Sequence, residues 1–183
     1  MDAITLLKSD HKAVEKLFKS FEKAGDRAKA TKKKLVGQMI KELSIHAAIE
    51  EEIFYPSARR AVADTVPLVL ESLEEHHLVK WVLSELEGMD PADERFDAKV
   101  TILIELVRHH VDEEEGDFFP RVRSGLGRKR LAEIGEELET AKRAAPTRPH
   151  PRSPDTPPGN LVAGLVAGAI DHTRDAVKEM AGR

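Results

Sequence analysis

Apolar residues recur along most of this chain at steps of three and four, the period of a helix buried on one side. Over about 2–24 the stripe is Ile4, Leu7, His11, Val14, Phe18 and Phe21. Over about 31–62, behind Thr31 as a candidate cap, it is Leu35, Met39, Leu43, His46, Ile49 and Ile53. Pro67, tolerated in a first turn, lies near the start of a third segment over about 65–88. Its stripe is Val69, Leu73, His76, Val79, Leu83 and Leu86. Asp90-Pro91 opens a fourth segment, about 91–124, in which Leu103, Leu106, Val107 and His110 face inward. None of the segments alternates like a strand, so the expected fold is all-α, an up-down antiparallel four-helix bundle. One histidine stands on each of the four stripes.

Beyond Gly125 and Gly127 a short fifth helix, about 128–143, is expected as an addition to the bundle. Residues 144–160 hold six of the ten prolines and predict an extended, polyproline-like linker. Helical period returns over 161–183. The expected organisation is therefore a bundle with its added helix over 1–143, a linker over 144–160 and a C-terminal helix over 161–183. Gly164 and Gly168, four apart, mark close helix packing or a weak helix. The apolar run Leu161 to Ile170 is far short of the roughly 20 residues a membrane span needs.

Composition narrows the function classes. Charged residues make up 34 % and aromatics 4 %, a balance that favours helices over a β-sandwich. The net charge of −4 and the mixed signs give no broad basic surface, so no nucleic-acid partner is expected. With no cysteine, disulfides, thiolate-held iron–sulfur clusters and thiol nucleophiles are excluded. Met1 to Thr5 lacks the cationic start and apolar run of a signal peptide. A soluble cytoplasmic protein without a membrane partner is expected, and its oligomeric state is left open.

The chemistry lies in a repeated phrase. His46-Ala47-Ala48-Ile49-Glu50-Glu51 leads through Phe54-Tyr55 to Pro56, and His110-Val111-Asp112-Glu113-Glu114-Glu115 leads through Phe118-Phe119 to Pro120. A histidine and a glutamate four apart share one helix face, with Cβ atoms about 5–6 Å apart. Upstream, Asp10-His11 and Glu75-His76-His77 precede the two phrases by nearly equal distances, which reads as an internal duplication of a helix hairpin. Any one of these histidines alone reads as an ordinary core residue. Four imidazoles and two carboxylates at one level of a bundle do not, because burying them without compensation is strongly unfavourable. Cations relieve that penalty. The candidate metal ligands are thus His11, His46, Glu50, His76, His110 and Glu114. His76 is preferred to His77 because its neighbours three and seven residues away are all apolar, and His110 to His109 because it keeps the register with Pro120. Glu51 and Glu115 read as solvated acids, Glu52, Asp112 and Glu113 as outer-face charges, and Tyr55 as packing. A nitrogen and oxygen ligand set suits iron or manganese, whereas zinc prefers fewer, tetrahedral ligands. Six side chains cannot fill two octahedra, which leaves positions for a small molecule.

These motifs resemble the hemerythrin family in its hemerythrin-like (HHE cation-binding) branch, over roughly residues 1–143. The resemblance implies a bundle enclosing two non-haem iron ions with an oxo or hydroxo bridge, held by the six candidates above. It also shows departures. Oxygen-carrying hemerythrins use a fifth histidine one turn before the ligand on the third helix, where this chain has Ser72, and an aspartate five residues after the last histidine, where this chain has its candidate Glu114 at four residues and Glu115 at five. The absence of cysteine also departs from the iron-cluster repair branch, which carries a cysteine-containing domain before its bundle. The expected function is handling of hydrogen peroxide, by catalase- or peroxidase-like turnover, and of nitric oxide. The alternative is a binding module, an oxygen carrier, iron store or sensor without turnover. No separate catalytic acid–base pair and no other cofactor site is visible.

Overall fold

The computed structural model describes residues 1–156 and 159–181. Helix α1 (Ala3–Lys23) begins where Asp2 accepts the Thr5 N–H at 2.9 Å, and it buries the expected stripe, Ile4 to Phe21. Helix α2 (Lys29–Ile49) starts two residues before Thr31, without a side-chain cap. It runs through a π turn (Glu50–Phe54) into α3 (Tyr55–Ala61). A 3-10 turn (Ala63–Thr65) leads to α4 (Val66–Gly88), which carries Pro67 in its first turn. Then come α5 (Phe96–Glu113), a second π turn (Glu114–Phe118) and α6 (Phe119–Ala141). The last helix is α7 (Gly159–Ala181). The described residues include no strand.

Two boundaries differ from expectation. Helix α5 starts at Phe96 and not near Pro91, because Asp90 and Asp93 accept the backbone N–H groups of Ala92 and Arg95, each at 2.8 Å, and hold the chain in turns. The expected fifth helix continues the fourth and bends at Gly127, whose φ of 72° is open to glycine at little cost.

Helices α1, α2, α4 and α5 alternate in direction, with α2 beside α1 and α4, and α5 beside α4. Their apolar stripes form two clusters. One gathers Leu7, Phe54, Leu73, Phe118, Phe119 and Leu138. The other gathers Val14, Phe18, Leu43, Leu83, Phe96 and Leu103. On α1, α2 and α4 the histidine stands between the two clusters, so a polar layer divides the core across the bundle axis. Helix α6 packs on α1 through Gly135, where an added Cβ would overlap the Met1 carbonyl oxygen.

The proline-rich segment is folded back on the bundle instead of extended. Ala145, Pro146, Thr147 and Pro149 are buried. The carboxylate of Asp171, fully buried on α7, accepts the N–H groups of Thr147 and Arg148 at 3.1 Å and lies 3.0 Å from His150 Nε2. Backbone donors that have no helix to satisfy them find an acceptor there. Asn160 donates to the Glu51 carbonyl at 3.1 Å. Gly164 and Gly168 serve close packing, against the Glu52 carboxylate and the Ala144 carbonyl. Leu165 and Ile170 of α7 are exposed, so they do not dock on this chain. Pro157, Pro158 and the Leu161 side chain lie outside the described residues. No helix among the described residues is long and apolar enough to cross a membrane.

Gly135→Ala is expected to lower stability by about 1–3 kcal/mol, the usual range for overpacking, because backbone and not a flexible side chain must yield. Chemical denaturation compared with wild type checks this. A chain ended at Ala144 is expected to fold as a bundle with a lower Tm, since it loses the Asn160 and Asp171 contacts but keeps both core clusters apart from Ala145. Loss of cooperative unfolding on truncation would show that the tail completes the core.

Candidate metal centre

The six residues singled out by the repeat meet in one buried layer. His11, His46, His76 and His110 are each at most 6 % exposed, and Glu50 and Glu114 at most 1 %. The Nε2 atoms of His11 and His46 are 3.2 Å apart, as are those of His76 and His110. Two metal–nitrogen bonds of about 2.1 Å meeting at a right angle span about 3 Å, so each pair suits one ion. Glu50 Oε2 lies 3.1 Å from His46 Nε2 and 3.4 Å from His76 Nε2. Glu114 Oε2 lies 3.3 Å from His11 Nε2 and 3.6 Å from His110 Nε2. Each glutamate therefore reaches from one imidazole pair to the other.

Behind the imidazoles stands a ring of carboxylates. His11 Nδ1 is 2.9 Å from Glu115, His76 Nδ1 is 3.0 Å from Glu51, and His110 Nδ1 is 2.7 Å from Glu75. Asp10 stands 3.7 Å from His46 Nδ1. The three close acceptors place the ring proton of His11, His76 and His110 on Nδ1 and turn the Nε2 lone pair inward, while His46 Nδ1 is buried without a hydrogen-bond partner. Three of the four carboxylates are held in turn by ammonium groups: Glu115 by Lys8 at 3.0 Å, Glu51 by Lys80 at 2.7 Å and Asp10 by Lys142 at 2.6 Å. Glu51, expected to be solvated, is 5 % exposed. Of the adjacent histidines, His77 accepts from Trp81 Nε1 at 3.0 Å and the His109 side chain is 65 % exposed, so neither joins the layer.

Tyr55 joins it. Nine residues at about 100° each would put Tyr55 half a turn away from His46 on a regular helix. In the π turn the Tyr55 N–H bonds five residues back to the Glu50 carbonyl, which widens the turn and brings the ring inward. The hydroxyl donates to Glu114 Oε1 at 3.0 Å and lies 3.3 Å from His76 Nε2. The second π turn does the same for Phe119, which stacks on His11 with ring centroids 5.8 Å apart.

Burial sets the protonation of the layer, and neighbouring charges adjust it. Burial, then the adjacent Glu114, raises Glu50 well above the ordinary carboxylate range. Burial opposes ionisation of Glu114 too, but His110, His11 and His46 outweigh it and draw Glu114 down. Burial keeps His46 and His76 low, as neutral imidazoles, while at His110 the charges of Glu114 and Glu75 prevail over burial and raise it. Burial followed by Glu114 and Glu50 holds the Tyr55 hydroxyl protonated, well above its usual range.

A family model for the hemerythrin HHE cation-binding domain matches residues 2–122, which include all six residues. The chain belongs to this family. An uncharacterized hemerythrin-like protein of Schizosaccharomyces pombe is 29 % identical over 171 residues, 93 % of this chain and 83 % of that protein. That span is longer than the bundle, so the likeness runs into the C-terminal extension. A protein of Nostoc sp. named DNA nickase is 29 % identical over 144 residues, and the chain covers 78 % of its own length but only 39 % of that relative's. The crystal structure of a hemerythrin HHE cation-binding domain-containing protein from Mycobacterium kansasii superposes with a TM-score of 0.67 at 23 % identity, over 78 % of this chain and 85 % of that one. It shares the helical fold.

The hemerythrin-like layer fits metal ions on its own atoms. Glu50 Oε1 and Glu114 Oε2 are buried without a hydrogen-bond partner, and four Nε2 lone pairs converge beside them. Buried polar atoms are nearly always paired, so oxygens left bare in this layer point to cations. The ligand atoms group as His11, His46, Glu50 and Glu114 on one side and Glu50, His76 and His110 on the other. The donors are nitrogen and oxygen only, the set that iron and manganese accept.

His76→Ala is expected to lose at least one metal ion per chain and His77→Ala none, because only His76 points into the layer. Elemental analysis of both purified variants decides it. An emptied site in His77→Ala beside a filled one in His76→Ala would reverse the assignment.

Proposed function

We propose that this hemerythrin-like protein holds two non-haem irons and decomposes hydrogen peroxide, with His11, His46, Glu50, His76, His110 and Glu114 as ligands. The observation that carries the reading is the count of donors against an open side. Four imidazoles and two carboxylates, each near both imidazole pairs, are too few donors to fill two octahedra, and an open cavity of about 860 Å³ leads to the four histidines. The place of a fifth imidazole is taken by Ser72, whose hydroxyl donates to the Leu68 carbonyl at 2.9 Å. That favours turnover over reversible oxygen carriage.

Two irons, if held by these six residues, would supply redox chemistry between the ferrous and ferric states. The chain's own groups do the rest. Val14, Phe18, Leu43, Val79 and Val107 line the cavity together with charged groups such as Lys12, Glu15 and Arg108, and it has room for small molecules, hydrogen peroxide and nitric oxide among them. Tyr55, kept protonated, donates to Glu114 and fixes the orientation of that carboxylate. Lys80 and Glu51 fix the tautomer of His76. Two peroxide molecules give two of water and one of dioxygen, so the electrons balance without an outside donor. The working unit is the bundle with its added helix over 1–143, in a cytoplasmic protein.

The iron-loaded protein is expected to consume hydrogen peroxide with release of oxygen, and His46→Ala and Glu50→Ala to fall to background as they lose metal. Oxygen electrode traces with matched iron analysis test this. A reversible oxygen-bound spectrum without peroxide turnover would make the protein a carrier, and stoichiometric zinc in place of iron would end the di-iron reading.

A further inference from the structure

The ring of carboxylates behind the imidazoles is filled on three sides and open on the fourth. Glu115, Glu51 and Asp10 each meet an ammonium group, as described above. Glu75 has no lysine or arginine at ion-pair distance among the described residues; its outer neighbours are two further side chains. His109 Nε2 lies 3.7 Å from Glu75 Oε1 and 3.4 Å from Glu113 Oε1. His109 and Glu113 are four apart on α5, on one face, and Glu75 reaches them from α4. The three ligand atoms lie within 4.8 Å of one another. Bonds of about 2.0–2.1 Å at a tetrahedral angle span about 3.3 Å, close to the spacings found here.

The duplication sharpens the contrast. Counting back 64 residues, the spacing of His110 from His46, the first-half equivalents of His109 and Glu113 are Ile45 and Ile49. Both are buried in the apolar cluster that also holds Leu131, Ile134 and Leu138 of α6, and Lys142, the residue after α6, reaches Asp10. The second half lacks that cover: the side chains of His109 and Glu113 are 65 % and 42 % exposed. Where one half uses an ammonium group and apolar packing, the other presents an imidazole and a second carboxylate to solvent.

The geometry points to a peripheral divalent-cation site formed by Glu75, His109 and Glu113, which binds zinc-class ions and is coupled to the buried layer through Glu75. One imidazole and two carboxylates, with water completing the shell, make a borderline ligand set. The two oxygens of Glu75 divide the work. Oε2 accepts the His110 Nδ1 proton at 2.7 Å, while Oε1 faces the peripheral site. A cation on Oε1 withdraws charge from the carboxylate, weakens the His110 hydrogen bond and makes that imidazole a poorer donor. The coupling rests on the reading of His110 as an iron ligand; the site itself does not.

Titration of the full-length, metal-loaded protein with zinc chloride by calorimetry tests the site, with core metal measured in the same samples. One further zinc ion per chain is expected, bound at least roughly tenfold more weakly by His109→Ala and by Glu113→Gln, with core metal unchanged in both. Cobalt in place of zinc should add visible d–d absorption that the two variants lose. The absorption of the oxidised core should shift when zinc binds the wild type and stay fixed in His109→Ala. No further binding at millimolar zinc, or binding that both variants retain in full, overturns the site. Zinc bound with no shift in the core overturns the coupling to His110. A core that holds something other than iron counts against the di-iron reading alone, because the calorimetric result does not depend on it.

Discussion

Four imidazoles and two carboxylates share one buried layer, and the rest of the molecule is arranged around making that layer tolerable. Apolar burial drives the bundle together, but no amount of it compensates bare carboxylate oxygens such as Glu50 Oε1 and Glu114 Oε2. The layer is therefore bracketed by two apolar clusters that fix the helices, one of which also lines the open cavity that reaches the histidines. Outward from it run imidazole, carboxylate and, on three sides, ammonium, an alternation of charge across the bundle wall. Removing an outer lysine would change the tautomer and basicity of an imidazole it never touches.

Much of this was legible in the sequence because it obeys simple periods. Residues four apart on a helix share a face, so the pairs His46/Glu50 and His110/Glu114 announced themselves, and the apolar surroundings of His76 distinguished it from His77. The stripes gave the four helices and their alternating directions. What escaped was whatever departs from a regular helix. Tyr55 read as packing because strict period places it opposite His46, and only the wide turn brings it round. Glu51 and Glu115 read as solvated because the preceding glutamates already occupied the inward face; their partners, His76 and His11, come from the other half of the duplication. Contacts between repeats are invisible to spacing within one repeat. The folded-back prolines escaped for a similar reason, since their acceptor, Asp171, lies on α7.

The two halves are alike at the metal layer and differ at the periphery. Helix α6 covers the corner of α1 and α2 and brings Lys142 to Asp10, while the C-terminal segment covers the corner near Glu51 and Lys80. The corner of α4 and α5 near Glu75 has neither. The duplication preserved what the buried charges require and left the outer surfaces to diverge, because a solvated corner can take many side chains where a dry one takes few.

Pro56 explains where the tail lands. The Tyr55 N–H is engaged by the Glu50 carbonyl across the π turn, and Pro56 has no N–H to offer, so the Glu51 carbonyl is passed over by its own helix. A bare backbone acceptor beside the buried Lys80–Glu51 ion pair would be unfavourable. The Asn160 side chain supplies the missing donor from 109 residues away. One ring in the chain thus does two things at a distance from itself: it lets a tyrosine turn inward, and it leaves an address on the outside of the helix that a single amide can read.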